Sequence, residues 1–402
     1  MGTRNKPVIL LIAEAVTLAH FARIVTLSKA LDRSKYDVIV ASDPRYVHLE
    51  PSLASGFYPI WSVPSAEFGQ ALARGKPLYS IKTLTRYVED DLALLDSVKP
   101  DLVVGDFRLS LAVSAPLRKI PYAAVVNAYW SPYAAIAYPI PDLPITRFLG
   151  VARAQKLFDA VRPIAFALHA HPLNQLRRRY DLPALGHDLR TVYTWGDYTL
   201  YADAPALVPL RPLPPSHRYL GPPLWSASTP LPDWWDRLPE DKPFVLLTLG
   251  SSGHVDLLPI ALSVLAELPI TVIVATAGTV DLDVPANAFV ARYLPLRRVI
   301  ERSSLVICNG GSLTTYQALF SGVPVLGICS NMDQLLNMSV AQRLGAGLSM
   351  RAADVLPAQL RKAVYALLET PKFAEAARHV GERFRQVDAG QHFRAFVSEV
   401  LD

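Results

Sequence analysis

The sequence predicts an α/β protein built as two doubly wound, parallel-sheet domains in series. Three observations predict it: short apolar runs alternate with amphipathic stretches through the first half, prolines then crowd into one segment, and the alternation restarts beyond it. The 402 residues are enough to bury two such cores.

Residues 8–12 (Val-Ile-Leu-Leu-Ile) read as a buried strand and residues 20–31 as a helix with Ile24, Leu27 and Leu31 on one face. Residues 36–41 form the second strand of this βαβ opening. Further on, residues 87–95 read as helix, Pro100-Asp101 as a turn, and residues 102–105 and 122–126 as strands. Prolines at 205, 209, 212, 214, 215, 222, 223, 230, 232, 239 and 243 mark a boundary. An N-terminal domain over residues 1–221, a linker over 222–243 and a C-terminal domain over 244–402 are therefore expected. In the last of these, strands at 244–249, 271–275, 305–308 and 323–328 alternate with helices at 257–268, 313–321 and 335–344. Helices over 357–368 and 374–402 close the chain, the final one expected to reach back to the first domain.

Composition removes several classes. With 51% apolar and 19% charged residues the chain cannot be globally disordered. Cys308 and Cys329 have neither CxxC spacing nor a disulfide framework around them, which argues against a zinc finger and suits a reducing cytoplasm. Glu14 interrupts the first apolar run before a signal-peptide core could form. Residues 120–141 carry no charge, but Pro121, Pro132, Pro139 and Pro141 rule out a membrane-spanning helix there. Residues 1–221 hold 25 basic against 18 acidic side chains, a balance of +7, while the remainder holds 15 against 17, or −2. The halves thus suit different partners. Arg177-Arg178-Arg179 is the only sharp basic run and reads as a solvated helix face, so nucleic acid is not an expected partner.

In open α/β sheets ligands bind at the carboxyl ends of strands. The turn Asn309-Gly310-Gly311-Ser312-Leu313-Thr314-Thr315 joins a strand to a helix and offers backbone N–H groups and hydroxyls to a phosphate, although a capping turn would look the same. Gly250-Ser251-Ser252 could face a second set of amides to the same anion, or be a flexible connection. Asp333 and Gln334 suit sugar hydroxyls, while Asp333 would serve equally as a helix N-cap. After the first strand, residues 14–20 lack Gly-x-Gly-x-x-Gly, which counts against a dehydrogenase, and no Gly-x-Ser-x-Gly elbow supports a hydrolase. Asp281-Leu282-Asp283 reads as a turn, and His169 and His171 point to different sides of a helix, so no metal site is expected.

Residues 309–324, followed by Asp333-Gln334, Asn337 and Gly345-Ala346-Gly347, resemble the donor-site motif of family-one glycosyltransferases. Leu249-Gly250-Ser251-Ser252, Arg292-Tyr293-Leu294-Pro295 and Tyr219-Leu220-Gly221-Pro222 extend the resemblance, which is strong over most of the second half and weak over the first. It implies the GT-B fold, two Rossmann-like domains facing across a cleft, and inverting, metal-independent transfer from a UDP- or dTDP-sugar to an acceptor hydroxyl. Gly310, Gly311, Ser312 and Thr314 would hold the diphosphate, Tyr293 and Leu294 the base, and Asp333 and Gln334 the sugar. Asn309 stands where the family usually has histidine, and Gln317 where it usually has glutamate.

By the same resemblance His20 is the general base and Asp106, ending Pro100-Asp101-Leu102-Val103-Val104-Gly105-Asp106, is its partner carboxylate; Ala19 replaces the usual preceding glycine. No cofactor beyond the nucleotide-sugar co-substrate is implied. Tyr129, Trp130, Tyr133 and Tyr138 follow a strand and suit a flat lipophilic acceptor, or else pack the core. The excess positive charge of this half leaves room for an acidic acceptor or for peripheral contact with an anionic membrane. Because Asn309 and Gln317 alter charge, a non-catalytic sugar-nucleotide-binding accessory protein is an alternative reading, and a GT-B sugar-nucleotide epimerase is another.

Overall fold

Buried apolar runs frame two separate parallel sheets. The structure, a computed structural model, describes residues 6–53, 56–250, 254–278 and 282–401. It divides into two compact units, Met1–Ala137 with Leu143–Pro223 and Val387–Asp402, and Tyr138–Asp142 with Leu224–Gln386.

The first unit runs β1 (Val8–Ala13), α1 (Leu18–Ala30), β2 (Asp37–Ser42), β3 (Phe57–Pro59), α2 (Ser65–Ala73), α3 (Ile81–Val98), β4 (Leu102–Asp106), α4 (Leu111–Arg118), β5 (Tyr122–Val126), α5 (Pro144–Leu149), α6 (Val151–Arg179), α7 (Leu189–Thr194), β6 (Tyr198–Tyr201) and β7 (His217–Tyr219). Its seven strands lie in the order β3-β2-β1-β4-β5-β6-β7, all parallel. β1, β4 and β5 are buried along their whole length, as continuous Val/Ile/Leu/Ala runs covered on both faces must be. Strand order reverses between β1 and β4, where Ala13 pairs with Asp106 and Glu14 N extends the ladder to the Asp106 carbonyl. That switch point is where such a sheet opens a crevice for ligands.

The second unit runs β8 (Phe244–Thr248), α8 (Leu258–Ala266), β9 (Thr271–Ala275), β10 (Ala288–Ala291), α9 (Leu296–Glu301), β11 (Ser303–Cys308), α10 (Ser312–Phe320), β12 (Val325–Cys329), α11 (Met332–Arg343), β13 (Gly347–Arg351), α12 (Pro357–Glu369) and α13 (Pro371–Arg385). The parallel order is β10-β9-β8-β11-β12-β13, with the reversal between β8 and β11. Residues 138–142 belong to this unit. Asp142 N donates to the Ser330 carbonyl, and the Asp142 carboxylate accepts from Arg351 Nη1 at 2.7 Å and Ala353 N at 3.1 Å.

The single helix expected over residues 374–402 is two. α13 ends at Arg385, and α14 (Ala389–Leu401) starts afresh after Asp388, whose carboxylate accepts from Gln391 N at 3.0 Å. α14 packs on α1 in the first unit, where Arg218 and Glu399 pair at 2.6 and 2.9 Å and His392 Nδ1 donates to the Leu220 carbonyl. Gly221 at φ +94° faces Val387, whose Cγ1 would lie 2.6 Å from any Cβ there, so this crossing requires glycine. The short edge strands β3, β7, β10 and β13 were not expected from sequence; they are brief and only partly apolar.

Beneath the β1/β4 switch point lies a buried ionic cluster. Arg108, fully buried, donates to Asp91 at 3.0 Å and to the Trp61 carbonyl at 2.8 Å, sits 3.5 Å from Glu14, and lies over the Tyr87 ring at 3.7 Å. Tyr87 OH donates to Glu14 at 3.0 Å. Burial pushes the Glu14 and Asp91 carboxyls up, and Arg108 opposes that shift. Removing one partner of a buried pair strands the other's charge. Asp91→Ala is therefore expected to destabilise the first unit by about 3–5 kcal/mol, read as a lower urea midpoint; an unchanged midpoint would show that the cluster contributes nothing.

Candidate functional site

In the first unit the site grows from Asp106, the last residue of β4, which has no exposed side-chain surface. Its Oδ1 accepts from His20 Nδ1 at 2.7 Å and from Arg23 Nη2 at 2.8 Å, and its Oδ2 accepts from Arg23 Nε at 2.6 Å. Both donors come from α1, three residues apart and so on one face. Burial alone would raise the Asp106 carboxyl, but the charges of Arg23 and His20 and their hydrogen bonds overcome it and hold the group below its ordinary value. An ionised carboxylate only accepts, so it is the Nδ1–H of His20 that meets Asp106. His20 retains 16% of its side-chain exposure, enough to meet a ligand.

Phe107, at φ +58°, stacks on the His20 ring at 5.0 Å and 7°. It also meets Tyr193 and Phe68 edge to face, at 5.3 and 6.2 Å, and Tyr193 meets Trp130 at 5.4 Å. Among the expected acceptor residues, then, Trp130 joins a ring set that begins on His20. Tyr133 is half-buried against His217. Tyr129, expected either against the acceptor or in the core, is fully buried in the short 3-10 turn after β5. Tyr138 is buried and belongs to the second unit.

Sequence reasoning gave Arg23 no role, although the His-x-x-Arg spacing places it on the face of His20. Arg23 Nη1 also donates to Asn127 Oδ1 at 2.6 Å, and Asn127 Nδ2 and Ala128 N reach Asp203 at 3.3 and 2.6 Å. Phe107, Phe68 and Tyr193 were likewise missed, since aromatic residues scattered over three elements leave no local pattern.

In the second unit the β8/β11 switch point brings two turns together. Gly250 adopts φ +63°, and a Cβ on it would lie 3.4 Å from Asn309 Nδ2. Ser251 and Ser252 lie outside the described residues. Gly310, at φ +79°, has Cys329 Sγ and Met338 Cγ within 2.6 and 2.8 Å of where a Cβ would stand, so only glycine fits. Asn337 Nδ2 fixes this turn by donating to the Gly310 carbonyl at 2.7 Å, and Asn309 Oδ1 accepts from Gly311 N at 3.0 Å. α10 then begins at Ser312 without a side-chain cap, leaving the N–H groups of Ser312, Leu313 and Thr314 at its positive end.

Asn331, not Asp333, caps α11. It accepts from Gln334 N at 3.0 Å, while Gln334 Oε1 accepts from Ser330 N and Asn331 N, completing a capping box. Gln334 is thus committed to the helix start through its oxygen, and its buried Nε2 has no hydrogen-bond partner among the described residues. Gln317 is buried and donates back to the Leu313 carbonyl at 3.3 Å. Leu294 is buried, and Tyr293 OH donates to the Ala277 carbonyl at 3.4 Å. Among the described residues no three His, Cys, Asp or Glu side chains gather as a metal site, and no helix is long and apolar enough to cross a membrane.

Residues 259–386 match the family described as erythromycin biosynthesis protein CIII-like, C-terminal domain. A PGL/p-HBAD biosynthesis glycosyltransferase of Mycobacterium tuberculosis is 50% identical over 390 residues, 96% of this chain and 91% of that protein. A PGL/p-HBAD biosynthesis rhamnosyltransferase of Mycobacterium bovis is 50% identical over 377 residues, 94% of this chain and 84% of that one. Among solved structures, the spinosyn rhamnosyltransferase SpnG complexed with thymidine diphosphate matches with a TM-score of 0.68 at 19% identity, over 98% of this chain and 100% of that chain. The fold is shared at that distance: two Rossmann-like α/β units of the GT-B type. With half its residues identical along almost its whole length, the chain belongs to the family of PGL/p-HBAD biosynthesis glycosyltransferases and is itself a glycosyltransferase.

Proposed function

We propose that this enzyme transfers a sugar, with inversion at the anomeric carbon, from a UDP- or dTDP-sugar to a hydroxyl of a small lipophilic or aromatic acceptor, and that it needs no metal to do so. The observation that carries the reading is His20: its Nδ1 is committed to a buried, ionised Asp106 while part of the ring stays open. His20 Nε2 takes the acceptor proton as the acceptor oxygen attacks the anomeric carbon, and Asp106 stabilises the imidazolium formed. The bond to the diphosphate breaks, and the departing nucleoside diphosphate carries the electron pair. Its charge is received by the amides at the start of α10 and the Ser312 and Thr314 hydroxyls. Arg23 acts as a positioning residue, fixing the carboxylate against which the imidazole is aligned.

The thymidine diphosphate named with the SpnG structure supports a nucleoside diphosphate as the leaving group. The ring set of Phe107, Tyr193, Phe68 and Trp130 supports an acceptor with a flat apolar surface, because aromatic faces and edges bury such groups at small entropic cost. Free, buried Cys308 and Cys329 support a working place in a reducing cytoplasm.

His20→Ala is expected to lower transfer by about 10²–10⁴-fold, with donor binding by calorimetry within a few-fold of wild type; retained turnover would remove His20 from the mechanism. Arg23→Gln should lower kcat by about tenfold or more with donor affinity unchanged, and Arg23→Lys, which keeps the charge but not the fork, should recover only part of it. A loss confined to thermal stability, with kcat intact, would make Arg23 purely structural. Asn331 and not Asp333 caps α11, which supports the reading in which the Asp333 carboxylate meets the sugar. Asp333→Ala should therefore weaken the intact donor much more than the free nucleoside diphosphate, and equal losses would exclude that contact.

A further inference from the structure

Away from the site, one surface of the first unit departs from the usual scatter of exposed apolar side chains. Leu157, Val161, Ile164 and Leu168 on α6 are spaced four, three and four apart, so they share a face, and all four are exposed, Ile164 and Leu168 by 65% and 62%. The helix is already anchored by a different face, on which Ala154, Phe158, Phe166 and Ala170 are buried. α5, one glycine upstream, adds Phe148 at 87% exposure and Leu149 at 41%. Single exposed leucines need no cause, but six large apolar groups within residues 148–168 do.

Charge indicates what covers them. Residues 147–168 hold Arg147, Arg153, Lys156 and Arg162 against Asp159 alone, four minus one, or +3. Arg147, Arg153 and Lys156 are exposed and make no ion pair among the described residues, and Arg153 stands four residues before Leu157 on the same face. Asp159, the one opposing charge, accepts from Gln155 Nε2 at 2.9 Å.

We propose that the outer face of α6, with the tip of α5, seats the protein peripherally on the surface of an anionic lipid bilayer. The apolar row enters the boundary between headgroups and acyl chains, and Arg147, Arg153 and Lys156 lie at the level of the lipid phosphates. A second copy of this chain is the other occupant such a row could take. Two-fold pairing would bring two such +3 stretches into one interface, uncompensated, whereas an anionic surface neutralises them. Docking needs neither donor nor acceptor, so it stands or falls independently of the proposed reaction.

The test is co-sedimentation of the full chain with vesicles of phosphatidylcholine alone and of phosphatidylcholine mixed with phosphatidylglycerol. Wild type is expected to pellet with the mixed vesicles and to be released by salt. Ile164→Glu combined with Leu168→Glu should lower that partition by at least about tenfold, and Arg153→Glu combined with Lys156→Glu by about tenfold on mixed vesicles but little on neutral ones. All four positions are exposed, so circular dichroism melting curves should stay at the wild-type value. Failure of wild type to bind either vesicle, or variants that pellet like wild type, would overturn the proposal. So would a micromolar dimer in sedimentation velocity that Ile164→Glu with Leu168→Glu dissolves, which would assign the face to a second copy.

Discussion

A carboxylate taken fully out of water has to be met by donors, and Asp106 at the end of β4 is in that position. Both of its partners come from the first turns of α1, so the start of that helix must lie over the β1/β4 switch point and in no other register. Arg23 carries the constraint outward to Asn127, and Asn127 with Ala128 carries it to Asp203. The carboxyl ends of β4, β5 and β6 are thereby joined to α1 through one chain of buried hydrogen bonds. Such a network is stiff when all its members are satisfied. The turn that carries Trp130 begins inside it, so Trp130 and His20 are fixed by a common frame.

The second unit solves the same topological problem with no buried charge at its centre among the described residues. Between β8 and β11 room is made by omission: Gly310 has no side chain because Cys329 and Met338 occupy the space, and the turn is pinned by the Asn337 amide. The amides at the start of α10 carry no side-chain cap. One switch point holds a buried carboxylate with its donors, the other a helix start without a side-chain cap. The difference follows from what fills each crevice rather than from the sheets, which share strand order around the reversal.

Legibility in the sequence followed the physics of each element. Central strands such as β1, β4 and β11 declare themselves because burial on both faces demands unbroken apolar runs. Edge strands like His217–Tyr219 carry no such demand and leave no pattern. The dyad was readable from a strand ending in Asp106 and a helix opening with His20, but the carboxylate's second partner was not, since an arginine three residues into a helix ordinarily reads as solvated. The capping box was written in Asn331-x-x-Gln334, yet the cap was weighed only for Asp333, as the alternative to a sugar contact. Tyr129 and Trp130 are sequence neighbours, and their types do not tell that the first is fully buried and the second partly open.

The polypeptide passes from one unit to the other four times, at Ala137/Tyr138, Asp142/Leu143, Pro223/Leu224 and Gln386/Val387. Neither unit is therefore a contiguous stretch of gene. A cut at the proline-rich segment would give an amino-terminal fragment without α14, exposing the surface of α1, and a carboxyl-terminal fragment without Asp142, leaving Arg351 unpaired. An exchange of halves in such a chain has to keep α14 seated on α1 and the 138–142 segment seated beside Arg351, so the polypeptide crossings constrain any such exchange more than the proline-rich segment does.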